Sequence, residues 1–102
     1  MRRLVYSPKA EIDLIDIVDY VADITGDDAL AYGAARRLDE QCKRLASLPG
    51  TLGRSRPDLG EGLRTFPHLG YAIVFRYVGE DTFEVTRIVS GKRNLRILLG
   101  RE

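Results

Sequence analysis

Residues 63–93 constrain the fold more than any other stretch, because they have the pattern of three consecutive β-strands joined by two tight turns. The runs 71–78 and 82–89 are rich in β-branched and aromatic residues, which favour strands. Residues 79–81 (Gly-Glu-Asp) predict the turn between these runs, and residues 67–70 (Pro-His-Leu-Gly) predict a hairpin back to the preceding strand. We therefore predict an antiparallel three-strand meander on which the earlier part of the chain packs.

The middle strand, 71–78, is expected to bury both of its faces. Its odd-numbered residues are all apolar or aromatic, and only Arg76 among its even-numbered residues is charged. An antiparallel sheet with one solvated face alternates between apolar and polar residues instead. Helices of the same chain can cover one face of the sheet. We expect the other face to be covered by a partner, since little chain remains for it.

The N-terminal half predicts one strand and two helices. Residues 2–6 are a short apolar segment that we expect to pair with the meander. A helix begins after Ser7, a good N-cap that is followed by proline, and Gly26 ends it. Asp27 and the acid after it cap a second helix that runs to about Leu48. The short link predicts an antiparallel helical hairpin.

Together these elements predict an α+β fold for residues 1–102, as a single domain. It consists of an N-terminal strand, an antiparallel helical hairpin packed on a mainly antiparallel sheet, and a C-terminal three-strand meander. The Gly- and Pro-rich residues 49–62 are interpreted as an ordered surface loop without secondary structure of its own. Residues 92–99 predict a short amphipathic tail that docks its leucines against the sheet.

Composition excludes several classes of protein. The chain contains no apolar run near the ~20 residues that a membrane-spanning helix needs, and its N-terminus lacks the apolar core of a signal peptide. One cysteine, Cys42, allows no intrachain disulfide, and its place on the apolar stripe of the second helix predicts a buried side chain. We expect a cytoplasmic protein with no membrane partner.

Charge is distributed unevenly along the chain. Residues 1–50 hold seven Lys/Arg and nine Asp/Glu, and residues 51–102 hold nine and six. Residues 86–101 contain five basic residues and no acid, namely Arg87, Lys92, Arg93, Arg96 and Arg101. Such a patch favours polyanions or acidic protein surfaces, or is simply a solvated basic end of the molecule. A dedicated binder of double-stranded DNA would be more basic overall.

The first helix is acidic, which raises the question of a metal site. Its acids are Glu11, Asp13, Asp16, Asp19 and Asp23. No His or Cys accompanies them in the helix, and they spread around its surface. We therefore expect a solvated acidic face, and neither a metal nor a cofactor.

Local motifs in this order resemble the RelE/ParE superfamily of toxins from toxin–antitoxin systems, and its ParE branch in particular. The motifs are residues 6–10 (Tyr-Ser-Pro-Lys-Ala) with Asp13 and Ile17 following, Leu48-Pro49, Leu63-Arg64, residues 71–77, residues 85–89, and residues 91–94 (Gly-Lys-Arg-Asn). The resemblance covers essentially the whole chain. It implies a RelE/ParE-like fold and a toxin of a type II toxin–antitoxin system.

ParE-like relatives inhibit DNA gyrase by protein contact, which requires no catalytic residue. The resemblance thus implies a non-enzymatic toxin with DNA gyrase as a partner, and the acid-free basic run supplies Arg87, Lys92, Arg93 and Arg96 as candidate target-binding residues. It also implies a cognate antitoxin whose C-terminal segment wraps across the helices and the sheet. Toxin and antitoxin would form a hetero-oligomer.

RelE-like relatives are instead ribosome-dependent mRNA interferases, and this alternative stays open at the level of the sequence. Its candidate RNA-binding residues are Arg64, Arg76, Arg87 and Ser90. Ser90 stands where many relatives carry a histidine, and a serine without an activating base transfers protons poorly. The single histidine, His68, falls in a predicted turn. A third alternative is a non-toxic relative that only binds an antitoxin.

Overall fold

The computed structural model describes residues 2–91, and it has the predicted α+β architecture. Two helices pack on one five-stranded sheet with the strand order β1-β5-β4-β3-β2. The elements are β1 (Arg3–Tyr6), α1 (Pro8–Thr25), α2 (Asp28–Ser47), β2 (Arg54–Ser55), β3 (Arg64–His68), β4 (Tyr71–Val78) and β5 (Thr82–Ser90). Strand β1 is parallel to β5, and every other pair is antiparallel. The sheet is therefore mainly antiparallel, as predicted.

The helix ends lie where the capping residues predict them. The Ser7 hydroxyl accepts a hydrogen bond from the Ala10 N–H, and an Asp27 carboxylate oxygen accepts one from the Leu30 N–H. Both bonds satisfy amide groups that have no partner within their helix. Gly26 ends α1 in the left-handed conformation, with φ of 65°, which glycine adopts without strain. These caps fix the short link of the helical hairpin.

The hairpin between β3 and β4 is tighter than predicted. Only Leu69 and Gly70 form the turn, both with positive φ, whereas Pro67 and His68 belong to β3 and pair with β4. Pro67 fits there because β2 pairs only with the first two residues of β3, so the strand is an edge strand at the proline. The prediction of a four-residue turn was therefore wrong by two residues.

The loop 49–62 is not free of secondary structure, contrary to the prediction. It contributes β2, which adds a fifth strand to the sheet. Arg64 holds the loop by donating hydrogen bonds to the carbonyls of Leu52 (2.6 Å) and Gly53 (3.1 Å). The Leu52 N–H in turn donates to the Tyr77 hydroxyl at 2.9 Å. A two-residue strand fixed by such distant side chains has no pattern of its own in the sequence.

The main core lies between the helices and one face of the sheet. Its buried residues include Leu38 and Leu45 of α2 and the stacked rings of Phe75 and Phe83, whose centroids are 4.6 Å apart. Cys42 is also fully buried there, as predicted. The apolar stripe of α2 on which Cys42 lies therefore faces this core.

The opposite face of the sheet is covered in part by the chain itself. Val74 on that face is 0% exposed, and Leu59 of the loop is 1% exposed although neither belongs to the helix-side cluster. Leu59 also lines the same cavity as Arg76, which shares the face of Val74. The expectation that a partner must cover this face was therefore wrong around Val74. It neglected how much apolar surface the loop can bury.

Neither of the two helices within residues 2–91 combines the length and apolar character that crossing a membrane requires.

Gly53 provides a test of how the loop closes on the sheet. A Cβ at this position would lie 2.6 Å from the Thr65 carbonyl oxygen and 2.8 Å from the Phe75 ring, and φ is +73°. We predict that Gly53→Ala lowers the free energy of unfolding by about 2 kcal/mol or more, because both the contact and the backbone conformation are strained. Urea denaturation followed by circular dichroism measures this loss.

The matched control is Gly33→Ala in α2, where a Cβ meets nothing within 4 Å. It should raise the free energy of unfolding by up to about 1 kcal/mol, since alanine is the better helix former. Equal stability of the two variants would contradict the tight approach of the loop.

Candidate functional site

Strand β5 pairs with β4 on one side, and on its other side its partner changes halfway along the strand. Val74 pairs with Arg87 and Phe75 pairs with Val85, so Thr86 is an extra residue that forms a bulge. Strand β1 ends opposite Val85. From this point the start of α1 takes the place of β1 along β5. The Ser7 N–H donates to the Val85 carbonyl (2.9 Å), and the Ser7 hydroxyl donates to the Thr86 carbonyl (2.8 Å).

Asp13 of α1 continues this replacement with its carboxylate. One oxygen accepts hydrogen bonds from the Ile88 N–H and from Arg87 Nε, both at 2.8 Å, and the other accepts from Arg87 Nη2 at 3.1 Å. Asp13 is only 8% exposed. The prediction that it lies on a solvated face was therefore wrong. Its carboxylate accepts hydrogen bonds from a backbone N–H and a side chain of β5 at a point where no strand pairs with β5 on that side. The acids Glu11, Asp16, Asp19 and Asp23 are exposed, as predicted.

Arg87 is consequently held within the molecule. The bidentate pair leaves its side chain only 17% exposed. The hydrogen bond that Arg87 donates to Asp13 raises the pKa of Arg87 above its ordinary value, against the opposing effect of burial. The guanidinium is thus permanently charged and its orientation is fixed by α1.

A groove beside this pair, which we call the first groove, has a volume of about 630 Å³. The start of α1, the loop and the outer sheet face line it, with Lys9, Leu59, Arg76, Thr86 and Arg87 among its residues. Arg76 is paired with Glu84 at 2.6 Å. The groove therefore brings together two of the candidate arginines, each with an acidic partner of its own.

The remaining sequence candidates are scattered or lie outside the described residues. Arg64 binds the loop carbonyls and does not line the first groove. Ser90 pairs with Tyr71 at the far end of β5. Lys92, Arg93 and Arg96 lie outside residues 2–91, as does the predicted docking of the 92–99 tail. Of the four candidate target-binding residues, the structure thus locates Arg87 alone.

The other side chains of residues 2–91 that could carry a reactive group are buried in the core or lie in strands of the sheet. Burial raises the pKa of Cys42 to about 11, so its thiol stays protonated near neutral pH. Burial and the hydrogen bond to Asp39 raise the pKa of Tyr6 well above its ordinary value. His68 ends β3 opposite Tyr71. No cluster of His, Cys, Asp or Glu in this range could hold a metal ion.

Asp13 is the residue of this site that sequence reasoning missed. The signal was present in its spacing, because Ala10, Asp13 and Ile17 recur at helical intervals and are the buried residues of α1. An acid in phase with the buried stripe needs a hydrogen-bonding or charged partner. The identity of that partner, 74 residues away along the chain, was not available from local pattern.

A second groove lies between α1 and the ends of β4 and β5, with a volume of about 560 Å³. Its lining includes Asp16, Tyr20, Leu69, Tyr71 and Ser90. Burial, and to a lesser degree the neighbouring Tyr20, raise the pKa of Tyr71. This groove follows the part of β5 that β1 leaves uncovered.

Comparison with known proteins gives a consistent result. The model of the family described as "ParE toxin of type II toxin-antitoxin system, parDE" matches residues 4–95. Toxin ParE3 of Caulobacter vibrioides (strain ATCC 19089 / CIP 103742 / CB 15) is 37% identical over 73 residues, which cover 72% of this chain and 71% of that protein.

The fold also matches a solved structure of the chromosomal ParDE TA system from P. aeruginosa. The TM-score is 0.72 at 28% sequence identity, and the match covers 88% of this chain and 96% of the other. This likeness confirms the fold that the sequence predicted.

The Asp13–Arg87 pair yields a prediction for stability. We expect Asp13→Asn to lower the free energy of unfolding by about 2 kcal/mol or more, because it leaves a largely buried guanidinium without its counter-charge. Asp16→Asn, on the same helix but exposed, should change it by less than about 0.5 kcal/mol. Urea denaturation of both variants gives the comparison. Similar losses in the two would mean that the pair contributes little.

Proposed function

Because this chain belongs to the ParE toxin family of type II toxin–antitoxin systems, we propose that it inhibits DNA gyrase by protein contact and is neutralised by a cognate antitoxin. In this proposal residues 1–102 form one toxin domain that acts in the cytoplasm without catalysing a reaction. The family assignment rests on a match to nine-tenths of the chain.

One structural observation carries the preference for contact over RNA cleavage. Each of the three arginines that cleavage would need already has partners within the molecule: Arg64 binds loop carbonyls, Arg76 pairs with Glu84, and Arg87 pairs with Asp13. Stabilising the charged transition state of RNA cleavage requires cations directed at the reacting phosphate. These guanidiniums are directed instead at protein acceptors, and recruiting Arg64 or Arg87 would break the contacts that hold the loop and β5.

The proposed target-binding surface is the basic run from Arg87 to Arg96. Arg87 forms its base, since the pair with Asp13 fixes the strand from which the run leaves. Lys92, Arg93 and Arg96 supply charges for acidic groups on the target.

The helical hairpin supports the proposed antitoxin partner. It exposes several large apolar side chains, which is unusual for helices that face only water. These side chains are Ile12, Ile15, Tyr20, Ile24, Leu30 and Tyr32. A segment of the antitoxin that folds on binding would bury them and produce a toxin–antitoxin hetero-oligomer.

The decisive test is a supercoiling assay with purified gyrase, the purified chain and its antitoxin. We expect loss of supercoiling with accumulation of cleaved DNA, both reversed by the antitoxin. If gyrase is unaffected at a large excess of the chain while mRNA is cleaved in a purified translation system, the target is the ribosome. If neither occurs and expression without antitoxin leaves growth unchanged, the chain is a non-toxic relative.

The same assay tests the target-binding surface. Replacing Lys92, Arg93 and Arg96 together with alanine should raise the concentration needed for half-inhibition by about tenfold or more, which corresponds to about 1.4 kcal/mol of binding free energy. The matched control replaces Arg36, Arg37 and Arg44, three exposed bases on α2, and removes the same charge. Equal inhibition by both triple variants would contradict the assignment.

A further inference from the structure

The first groove combines an apolar lining with basic side chains. More of its surface is apolar than polar, and its apolar residues are Pro8 at the start of α1 and Leu59 and Leu63 of the connection between β2 and β3. Its volume of about 630 Å³ lies within the range of ligand-binding clefts, which is about 300–1,000 Å³. The groove is therefore large enough to receive side chains of a short peptide.

The wall that this connection contributes is fixed by its own hydrogen bonds. The Arg56 N–H donates to the Leu63 carbonyl (2.8 Å), the Leu59 N–H donates to the Arg56 carbonyl (3.0 Å), and the Leu63 N–H donates to the Gly60 carbonyl (3.1 Å). The Arg56 guanidinium also forms two hydrogen bonds with the Asp58 carboxylate. A wall that is ordered before binding reduces the entropy that a partner must overcome.

Bases outnumber acids among the residues that line the groove, which are Lys9, Arg76 and Arg87 against Glu61. Lys9 is exposed and takes part in none of the ion pairs formed within residues 2–91. Arg76 pairs with Glu84, yet its side chain remains 49% exposed. The acidic partners of the two arginines do not line the groove, so each pair presents its positive end there. The complementary partner carries carboxylates.

The lining favours a peptide over RNA. Proteins bind single-stranded RNA with aromatic side chains on which the bases stack. None of the described residues that line the first groove is aromatic. An acidic peptide with one bulky apolar side chain would instead use both the bases and the apolar lining.

The position of the groove indicates which partner supplies this peptide. Arg87 lines it and is also the base of the proposed target-binding surface, so the two surfaces are continuous. By contrast, none of the exposed apolar side chains of the helical hairpin that are proposed to bind the antitoxin lines the groove. The observations therefore favour a segment of the target over a segment of the antitoxin.

We propose that the first groove binds an acidic segment of the target protein, which is gyrase in the proposed function. Carboxylates of the segment pair with Lys9 and Arg76, and an apolar side chain of the segment packs against Leu63. This inference rests on the proposed function and adds a second contact site beside the basic run. It assigns opposite roles to two exposed residues, because Lys9 attracts the segment and Glu61 repels it.

A labelled peptide, Asp-Glu-Leu-Phe-Asp-Glu, tests the chemistry of the groove by fluorescence anisotropy with the full-length chain freed of antitoxin. Lys9→Glu should weaken binding about threefold or more, and Glu61→Lys should strengthen it by a similar factor, since each reverses a charge beside the carboxylates. An acid in the first turn of α1 is favourable for the helix, so the loss with Lys9→Glu would not reflect unfolding. Misfolding would not produce the gain with Glu61→Lys.

The matched controls are Arg37→Glu and Asp23→Lys, which make the same changes of charge at exposed residues outside the groove. Both should leave the affinity for the peptide unchanged. Absence of peptide binding, or equal affinities of the four variants, would overturn the proposal. Tighter binding of a single-stranded RNA of six uridines than of the peptide would also overturn it.

The gyrase supercoiling assay separates this inference from the proposed function. Lys9→Glu should raise the concentration of the chain needed for half-inhibition about threefold, and Glu61→Lys should lower it about threefold. If the unmodified chain inhibits gyrase and both variants behave like the controls, the inference is wrong and the proposed function stands. If the unmodified chain binds the peptide but leaves gyrase unaffected, the proposed function fails, and the assignment of the groove to gyrase fails with it.

Discussion

The rest of this molecule depends on the hydrogen bonds that the Asp13 carboxylate accepts from β5. Strand β1 covers only half of β5, and an uncovered strand exposes backbone donors that need a partner. Asp13 supplies that partner from a helix, and it binds the Arg87 side chain at the same time. One buried acid thereby joins α1 to the sheet and neutralises an arginine that would otherwise be free for a ligand.

The loop between the helices and the meander completes the sheet from the other side. Gly53 allows the backbone to approach Phe75, Arg64 holds two loop carbonyls, and Leu59 is buried beside the outer face. The two arginines Arg64 and Arg87 therefore have analogous roles on the two strands that flank β4. Arg64 connects the loop to the sheet, and Arg87 connects β5 to α1.

Local sequence patterns predicted most of the fold. Ser7, Asp27 and Gly26 identified the helix ends, and the β-branched and aromatic runs 71–78 and 82–89 with the turn residues between them identified the meander, because capping and strand formation leave signals within a few residues. Strand β2 and the ion pair of Asp13 were not predicted, since both depend on residues far apart in the chain. Among the candidate site residues, only the internal roles of Arg64, Arg76 and Arg87 became visible, while Lys92, Arg93 and Arg96 lie outside the described residues.

The parallel pairing of β1 with β5 has a consequence for how the protein acquires its shape during synthesis. Arg3–Tyr6 pair with residues 82–85, so the first strand has no partner until β5 has been made. At about 5–20 residues per second, this delay is on the order of ten seconds. Contacts of such long separation also slow folding after synthesis. The nascent chain therefore passes through a period in which the residues of both helices have been made but the sheet cannot yet be completed.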